Sequence, residues 1–216
     1  MAYSTQTDLE NRIGSANLAR LTNDTSGATT STTAVVNSLI QRADALINAK
    51  CSQVFDTPLQ EVLSGTVSSS TTTLTGTSSA FTTELEIGDP LINLATGEIR
   101  IVASISSATS ATTSVAFTTL ASATLYRIPQ IVFNISVDLA CFFAMQRRFS
   151  EMEMPSDWKS VWDRIMGTPQ MKGLLDQIAD LELETGLGAA TSAEGIIVAP
   201  DQVVTFNDTD TDMSDF

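Results

Sequence analysis

The chain contains no histidine. That removes the commonest general base and the commonest transition-metal ligand, so Ser-His and Cys-His catalytic pairs and the usual zinc sites are unavailable. Only two cysteines are present, Cys51 and Cys141, on stretches that read as apolar helix. Two thiols make a poor disulfide framework, and both are expected to be buried and reduced. Basic charge is scarce: 11 Lys and Arg stand against 25 Asp and Glu, a net charge of −14, with no basic stripe. Tight binding to a nucleic-acid backbone depends on Lys and Arg displacing counterions, and this chain lacks them. The longest apolar run, Ile131 to Met145, is short for a bilayer span and carries Asn134 and Asp138. No basic leader with a short apolar core stands near Met1, so the expectation is a soluble chain with no membrane association. No phosphate-cradling glycine loop, nucleophile elbow or paired-cysteine spacing occurs, and neither an enzyme nor a cofactor is expected.

What is present is a chain of 216 residues, 43% hydrophobic, enough to bury a core. Near the start, Thr7 and Glu10 have the spacing of a capping box, and Leu9, Ile13, Leu18 and Leu21 face inward along a short helix weakened at Gly14. From about Thr33, Val35, Val36, Leu39, Ile40, Ala43, Leu46 and Ile47 recur at steps of three and four, predicting a second helix to about Lys50. After Pro129, "QIVFNISVDLACFFAMQRR" is apolar on nearly every side to Met145. Such a helix is expected to lie in the middle of a bundle or between subunits, with identical copies covering it. "PSDWKSVWDRIM" places Trp158, Val161, Trp162, Ile165 and Met166 on one face behind Ser156, and a further helix is expected from Thr168 and Pro169 to Glu184, with Met171, Leu174, Leu175, Ile178 and Leu181 inward.

Between Val62 and Ile128 the character changes, with 27 Ser or Thr among 67 residues and only six charges. Short β-prone runs, "GTVSSS", "TTLTG", "PLINL", "EIRIVASI", "TTSVAF" and "TLYRI", alternate with turn residues including "SSATSAT". A linker would lack the regularly spaced apolar residues, and the alternation Ile99, Ile101, Ala103, Ile105 is expected to turn one face inward. The expected fold class is therefore α+β: a four-helix bundle over residues 1–61 and 129–188, interrupted by an all-β insertion at 62–128, a small barrel or sandwich. An extended acidic C-terminal arm is expected at 189–216. The arm offers Ile196, Ile197, Val198, Val203, Val204 and Phe206 as contacts for a partner.

Few residues invite a chemical reading. Asp138, isolated in an apolar helix, is either a structural ion-pair partner, for Arg147, Arg148 or an arginine of another helix, or a carboxylate of raised pKa. Arg147 and Arg148 are too few for a nucleic-acid patch and read as a subunit salt-bridge site or a solvated helix end. Trp158 and Trp162 read as core rather than as a ligand platform. Asp208, Asp210 and Asp212 alternate like the first ligands of a calcium loop, but the glycine and the distal glutamate are missing, so no metal is expected.

The opening "YSTQTDLENRIG", the helix "AVVNSLIQRADALINAKCSQVF" leading into "TPL", the helix "PQIVFNISVDLACFFAMQRR" with its Asp138-Leu139-Ala140 step, and "DWKSVWDRIM" to "LLDQIADLELETGLG" resemble the tailed-phage head-tail connector, or adaptor, family. The resemblance covers 3–61 and 129–188. It implies a virion protein at the portal vertex, a homo-oligomeric ring of usually twelve copies beneath the portal protein. Such a ring meets a neck, stopper or tail-completion protein on its far side, and DNA passes through it without specific binding. It implies subunit or portal contacts through Asp138, Arg147, Arg148 and the arm residues. An acidic channel would repel DNA phosphates and let the genome slide. The Ser/Thr-rich insertion departs from the pattern, and its alternative reading is a virion-surface module that recognises a glycan or a fibre protein.

Overall fold

The computed structural model of the chain describes residues 2–25, 27–149 and 154–180. Helices α1 (Gln6–Ile13) and α2 (Ser15–Thr22) are separated by Gly14, whose φ of +85° is open to glycine at little cost. The expected single weakened helix is thus two. Its cap also lies earlier than expected: the Thr5 backbone N–H donates to Asp8 Oδ2 at 2.8 Å, while Glu10 accepts from the Gln6 amide. Helix α3 (Thr33–Cys51) buries Val36, Leu39, Ile40, Ala43 and Ile47, the stripe that the three-four spacing marks.

The strands follow in the order β1 (Glu61–Val62), β2 (Thr66–Ser69), β3 (Thr73–Thr77), β4 (Pro90–Asn93), β5 (Glu98–Ser107), β6 (Ser110–Thr113), β7 (Leu120–Ala123) and β8 (Tyr126–Arg127), with a one-turn helix α4 (Phe81–Glu84) between β3 and β4. All pairs are antiparallel and form one eight-stranded sheet, ordered β1-β8-β4-β5-β6-β3-β2-β7. The chain runs from β1 almost directly into β2 and from β7 into β8, and Leu63 N–H donates to the Leu125 carbonyl between the two pairings. The ends of the sheet are therefore side by side. Leu63, Val67, Leu74, Phe81, Leu91 and Leu120 fill the interior that this curvature creates.

β5 corrects the expected alternation. Ile99 and Val102 are buried, whereas Ala103 is exposed, because the register against β6 shifts between Val102 and Ser104. A bulge of this kind reverses which face each later residue occupies. "TTSVAF" likewise leaves the ladder after Thr113: Arg100 Nε donates to the Ala116 carbonyl at 2.9 Å and Thr118 Oγ1 to Glu98 at 2.7 Å. Most of "SSATSAT" lies within β5 and β6, leaving only Ala108 and Thr109 as the turn.

Helix α5 (Gln130–Arg148) lies along α3 and is flanked by α1, α2 and α6 (Ser156–Met166). Every residue from Ile135 to Ala144 is buried. Identical neighbours are not needed to cover this helix, contrary to the sequence expectation, because the chain's own helices do so. Phe142 stacks on Trp162 with centroids 4.7 Å apart, and the Arg42 guanidinium lies 4.0 Å from the centre of the Phe143 ring.

After α6 comes a two-stranded hairpin, β9 (Gly167–Thr168) with β10 (Met171–Lys172), then α7 (Leu174–Ala179). The expected helix from Thr168 is overturned here. Gly167 has φ +86°, and a Cβ on it would lie 2.6 Å from Gly173 N and 2.8 Å from the Met171 carbonyl, so the chain is pinched too tightly for a helical turn. Met171, expected inward, is 68% exposed. Leu181 to Glu184 and the expected arm lie outside the described residues.

The expectation of a four-helix bundle with a small all-β insertion is overturned as a whole. The fold is mixed α/β, with an eight-stranded antiparallel sheet and seven helices among the described residues. Its physical reason is a shared core: Ile92 of β4, Ile99 of β5 and Ile128 belong to the same buried cluster as Leu9, Val36, Ile47 and Leu139 of the helices. The sheet is built into the helical layer rather than hung from it.

Candidate functional site

Asp138 lies on α5, one turn beyond Asn134, where the helix passes between α1 and α6. Its Oδ1 accepts from Arg12 Nε at 2.7 Å and its Oδ2 from Arg164 Nη2 at 2.8 Å. The carboxylate is nearly buried, at 12% exposed, while the two arginine side chains are about half exposed, at 48% and 56%. One carboxylate thus carries two guanidinium groups, and the trio holds a net positive charge in an acidic protein. Arg12 and Arg164 are arginines of other helices, residues that periodicity alone does not pair with Asp138. Beside the trio is a cavity of about 350 Å³ whose lining is half apolar, from Ile131, Ile135, Ile165 and Leu174, and half polar, from Gln130, Asn134, Asp138 and Arg164. Its volume falls at the lower end of small-ligand pockets.

Arg147 and Arg148 are placed elsewhere, at the C-terminal end of α5. Arg147 donates to the Leu21 carbonyl at 3.0 Å and to Asp24 at 2.7 Å; Arg148 donates to the Asn23 carbonyl at 2.7 Å and pairs with Asp24 at 2.9 Å. Leu21 and Asn23 carry carbonyls at the end of α2 that the helix leaves without an internal partner. Two cations there complement the negative end of the helix dipole. Trp162 is packed against Phe142 and Phe143, and also borders a groove of about 290 Å³ with Met154 and Lys159. Ile196, Ile197, Val198, Val203, Val204 and Phe206 lie outside the described residues.

A buried polar cluster joins the first residues of the chain to α3 and α5. Asp44 Oδ2 accepts the Tyr3 backbone N–H at 3.1 Å, and Oδ1 accepts the Ser136 hydroxyl at 2.7 Å. Ser136 also meets Ser4 Oγ at 2.9 Å. The Tyr3 hydroxyl donates to Asn48 Oδ1 and accepts the Leu59 N–H at 2.6 Å. Asp44 is 3% exposed. Desolvation pushes its carboxyl up to about 6, with the hydrogen bonds from Ser136 and Tyr3 opposing the rise. Sequence reading missed this cluster. Its signal was Asp44, four residues after Ile40 and three before Ile47, inside the apolar stripe of α3.

Burial raises the Cys51 thiol to about 11 and the Cys141 thiol to about 12, so both are poor nucleophiles at neutral pH. Both cysteines are free. Among the described residues no group of acidic side chains and cysteines is placed to hold a metal ion, and no helix is long and apolar enough to cross a membrane.

Residues 3–75 match the family model described as Bacteriophage Mu, Gp36. The match supports a bacteriophage protein. It begins at Tyr3, includes α1 to α3 with Arg12 and Asp44, and runs into β3, so it crosses from the helical layer into the sheet. It suggests a structural or morphogenetic role and association with the virion. No curated protein and no solved structure matches the chain.

Proposed function

We propose that this phage protein is a head-tail connector, or adaptor. It forms a ring between the portal protein and the neck or tail and lines the path by which DNA leaves the capsid. The observation that carries the reading is the match of residues 3–75 to a phage protein family. The resemblance of the helical segments to connector proteins narrows it. The role is architectural, with no reaction and no cofactor.

Charge supports the channel part of the proposal. A net charge of −14 with no basic stripe leaves DNA phosphates repelled, which suits passage without retention. With α5 covered inside the chain, assembly into a ring has to use other surfaces. Among the described residues, the large apolar side chains left exposed are Val62, Ile87, Leu94, Val115, Phe149 and Met171. The partners are further copies of the chain, twelve in the connector pattern, the portal protein on one side and a neck, stopper or tail-completion protein on the other.

The test is a mass measurement of the purified chain, alone and after mixing with the portal protein of the same phage. Formation of a complex holding many copies on each portal ring is the expected result. A chain that stays monomeric and unbound in the presence of assembled portal contradicts the proposal.

A further inference from the structure

The two ends of α5 carry opposite charge. At the C-terminal end Arg147 and Arg148 close on Asp24, and Arg20, in the last turn of α2, stands beside them. Arg20, Asp24, Ala28 and Arg148 share the lining of a hollow of about 350 Å³. Three guanidinium groups against one carboxylate leave a surplus of positive charge there. Arg147 and Arg148 are spent on Asp24 and on the carbonyls that end α2. The exposed Arg20 side chain, by contrast, has no hydrogen bond or ion pair among the described residues. An unspent guanidinium at the surface is suited to a carboxylate brought by another molecule.

At the N-terminal end, Gly88 lies against the first residue of the helix: a Cβ on it would be 3.3 Å from Gln130 Nε2. The corner that leads into Gly88 carries Glu84 and Glu86, followed by Ile87, which is 70% exposed. The carboxylate of exposed Glu86 accepts no hydrogen bond among the described residues, and that of Glu84 accepts only from the Ser64 N–H, at 3.1 Å. Arg127 does not neutralise this corner, because Glu61 holds it at 2.7 Å and Asp89 stands 3.7 Å away on it.

The 19 residues of α5 set the two surfaces about 27 Å apart, at roughly 1.5 Å per residue. Neither reaches the other within one chain. A rigid body with surfaces of opposite sign at opposite ends pairs with its own copy head to tail, and each pairing leaves one surface of each kind free for the next. With a net charge of −14, copies repel one another except where a basic patch meets an acidic one. The contact also has an apolar part: Ile87 on one side, and on the other Ala28 in the hollow and Phe149, 36% exposed and next after Arg148.

We infer that the hollow beside Arg20 and Arg148 receives the 84–87 corner of a second copy, with Glu86 on Arg20 and Ile87 against Ala28 and Phe149. The inference rests on the proposed ring for the presence of further copies, and it names the contact that joins them. That contact belongs to the chain alone and needs no portal.

The test is the mass of the purified full chain, without portal, as its concentration is raised at low salt. The expected result is a species larger than a dimer, dispersed by about 1 M salt. Arg20→Glu and Glu86→Arg each weaken the association by about tenfold or more, since each turns an attraction into a repulsion. Mixing the two single variants restores it, because each supplies the end that the other has lost, and so does the double variant. Restoration of this kind excludes misfolding as the cause of the loss. A chain that stays monomeric at the highest concentration overturns the inference, even where it binds portal. So does a species that stops at a dimer, or single variants that stay dissociated when mixed. Larger species untouched by both substitutions also overturn it, while leaving the connector reading to stand on another contact.

Discussion

Replacing Asp44 with asparagine is expected to flatten the pH dependence of stability between about pH 4 and pH 7. In the folded chain the carboxyl is buried without a salt-bridge partner among the described residues, and it holds its proton up to about 6 rather than the ordinary 3.8. The folded state therefore binds the proton more tightly than the unfolded state. The resulting stabilisation is fully present below the unfolded value and is lost as pH rises through about 6. At about 1.4 kcal/mol for each tenfold change, the loss is about 3 kcal/mol. The Asp44→Asn chain cannot titrate there, so it lacks this decline. It carries instead a cost of about 1–3 kcal/mol at every pH, because one amide carbonyl cannot replace both acceptors, for the Tyr3 N–H and for the Ser136 hydroxyl. Urea unfolding of both chains across this pH range reads the effect. All other carboxyls are common to the two curves, so their difference isolates Asp44. Two parallel curves would refute the reasoning.

Asp138→Ala is expected to cost about 1–2 kcal/mol, a moderate loss because Arg12 and Arg164 are half exposed and can turn to water once their shared acceptor is gone; thermal unfolding measures it, and a loss as large as that of a fully buried charge pair would contradict the placement. Gly167→Ala is expected to destabilise by about 1–3 kcal/mol through its positive φ and the clash with Gly173 N and the Met171 carbonyl, and unchanged stability would show that the hairpin is not pinched as described. A thiol reagent at neutral pH is expected to leave Cys51 and Cys141 unmodified until denaturant is added, since both are buried with raised pKa; rapid labelling of native protein would place one at the surface.

The sequence shows the long helices well. The apolar steps from Val36 to Ile47 and from Ile135 to Ala144 coincide with α3 and the buried length of α5. It does not show what covers α5, because an all-round apolar helix has the same pattern whether its neighbours come from one chain or several. The strand runs were visible in Thr, Val and Ile content, but the bulge at Val102–Ser104 follows from pairing with β6, not from the residues of β5 alone. The hairpin after α6 was hidden for a related reason. Thr168 and Pro169 resemble the start of a helix, and only the close approach of Gly167 to Gly173 prevents one. The Asp44 cluster joins positions 41 and 92 residues from Asp44. Long-range contacts of this kind leave no periodic trace; an acid within an apolar stripe is the one local sign.

The most direct test of the connector proposal is the position of this polypeptide in intact virions, read by gold-labelled antibody or by density in a particle reconstruction. The account predicts label at a single vertex, at the head-tail junction. Label spread over the capsid faces or along the tail would contradict it.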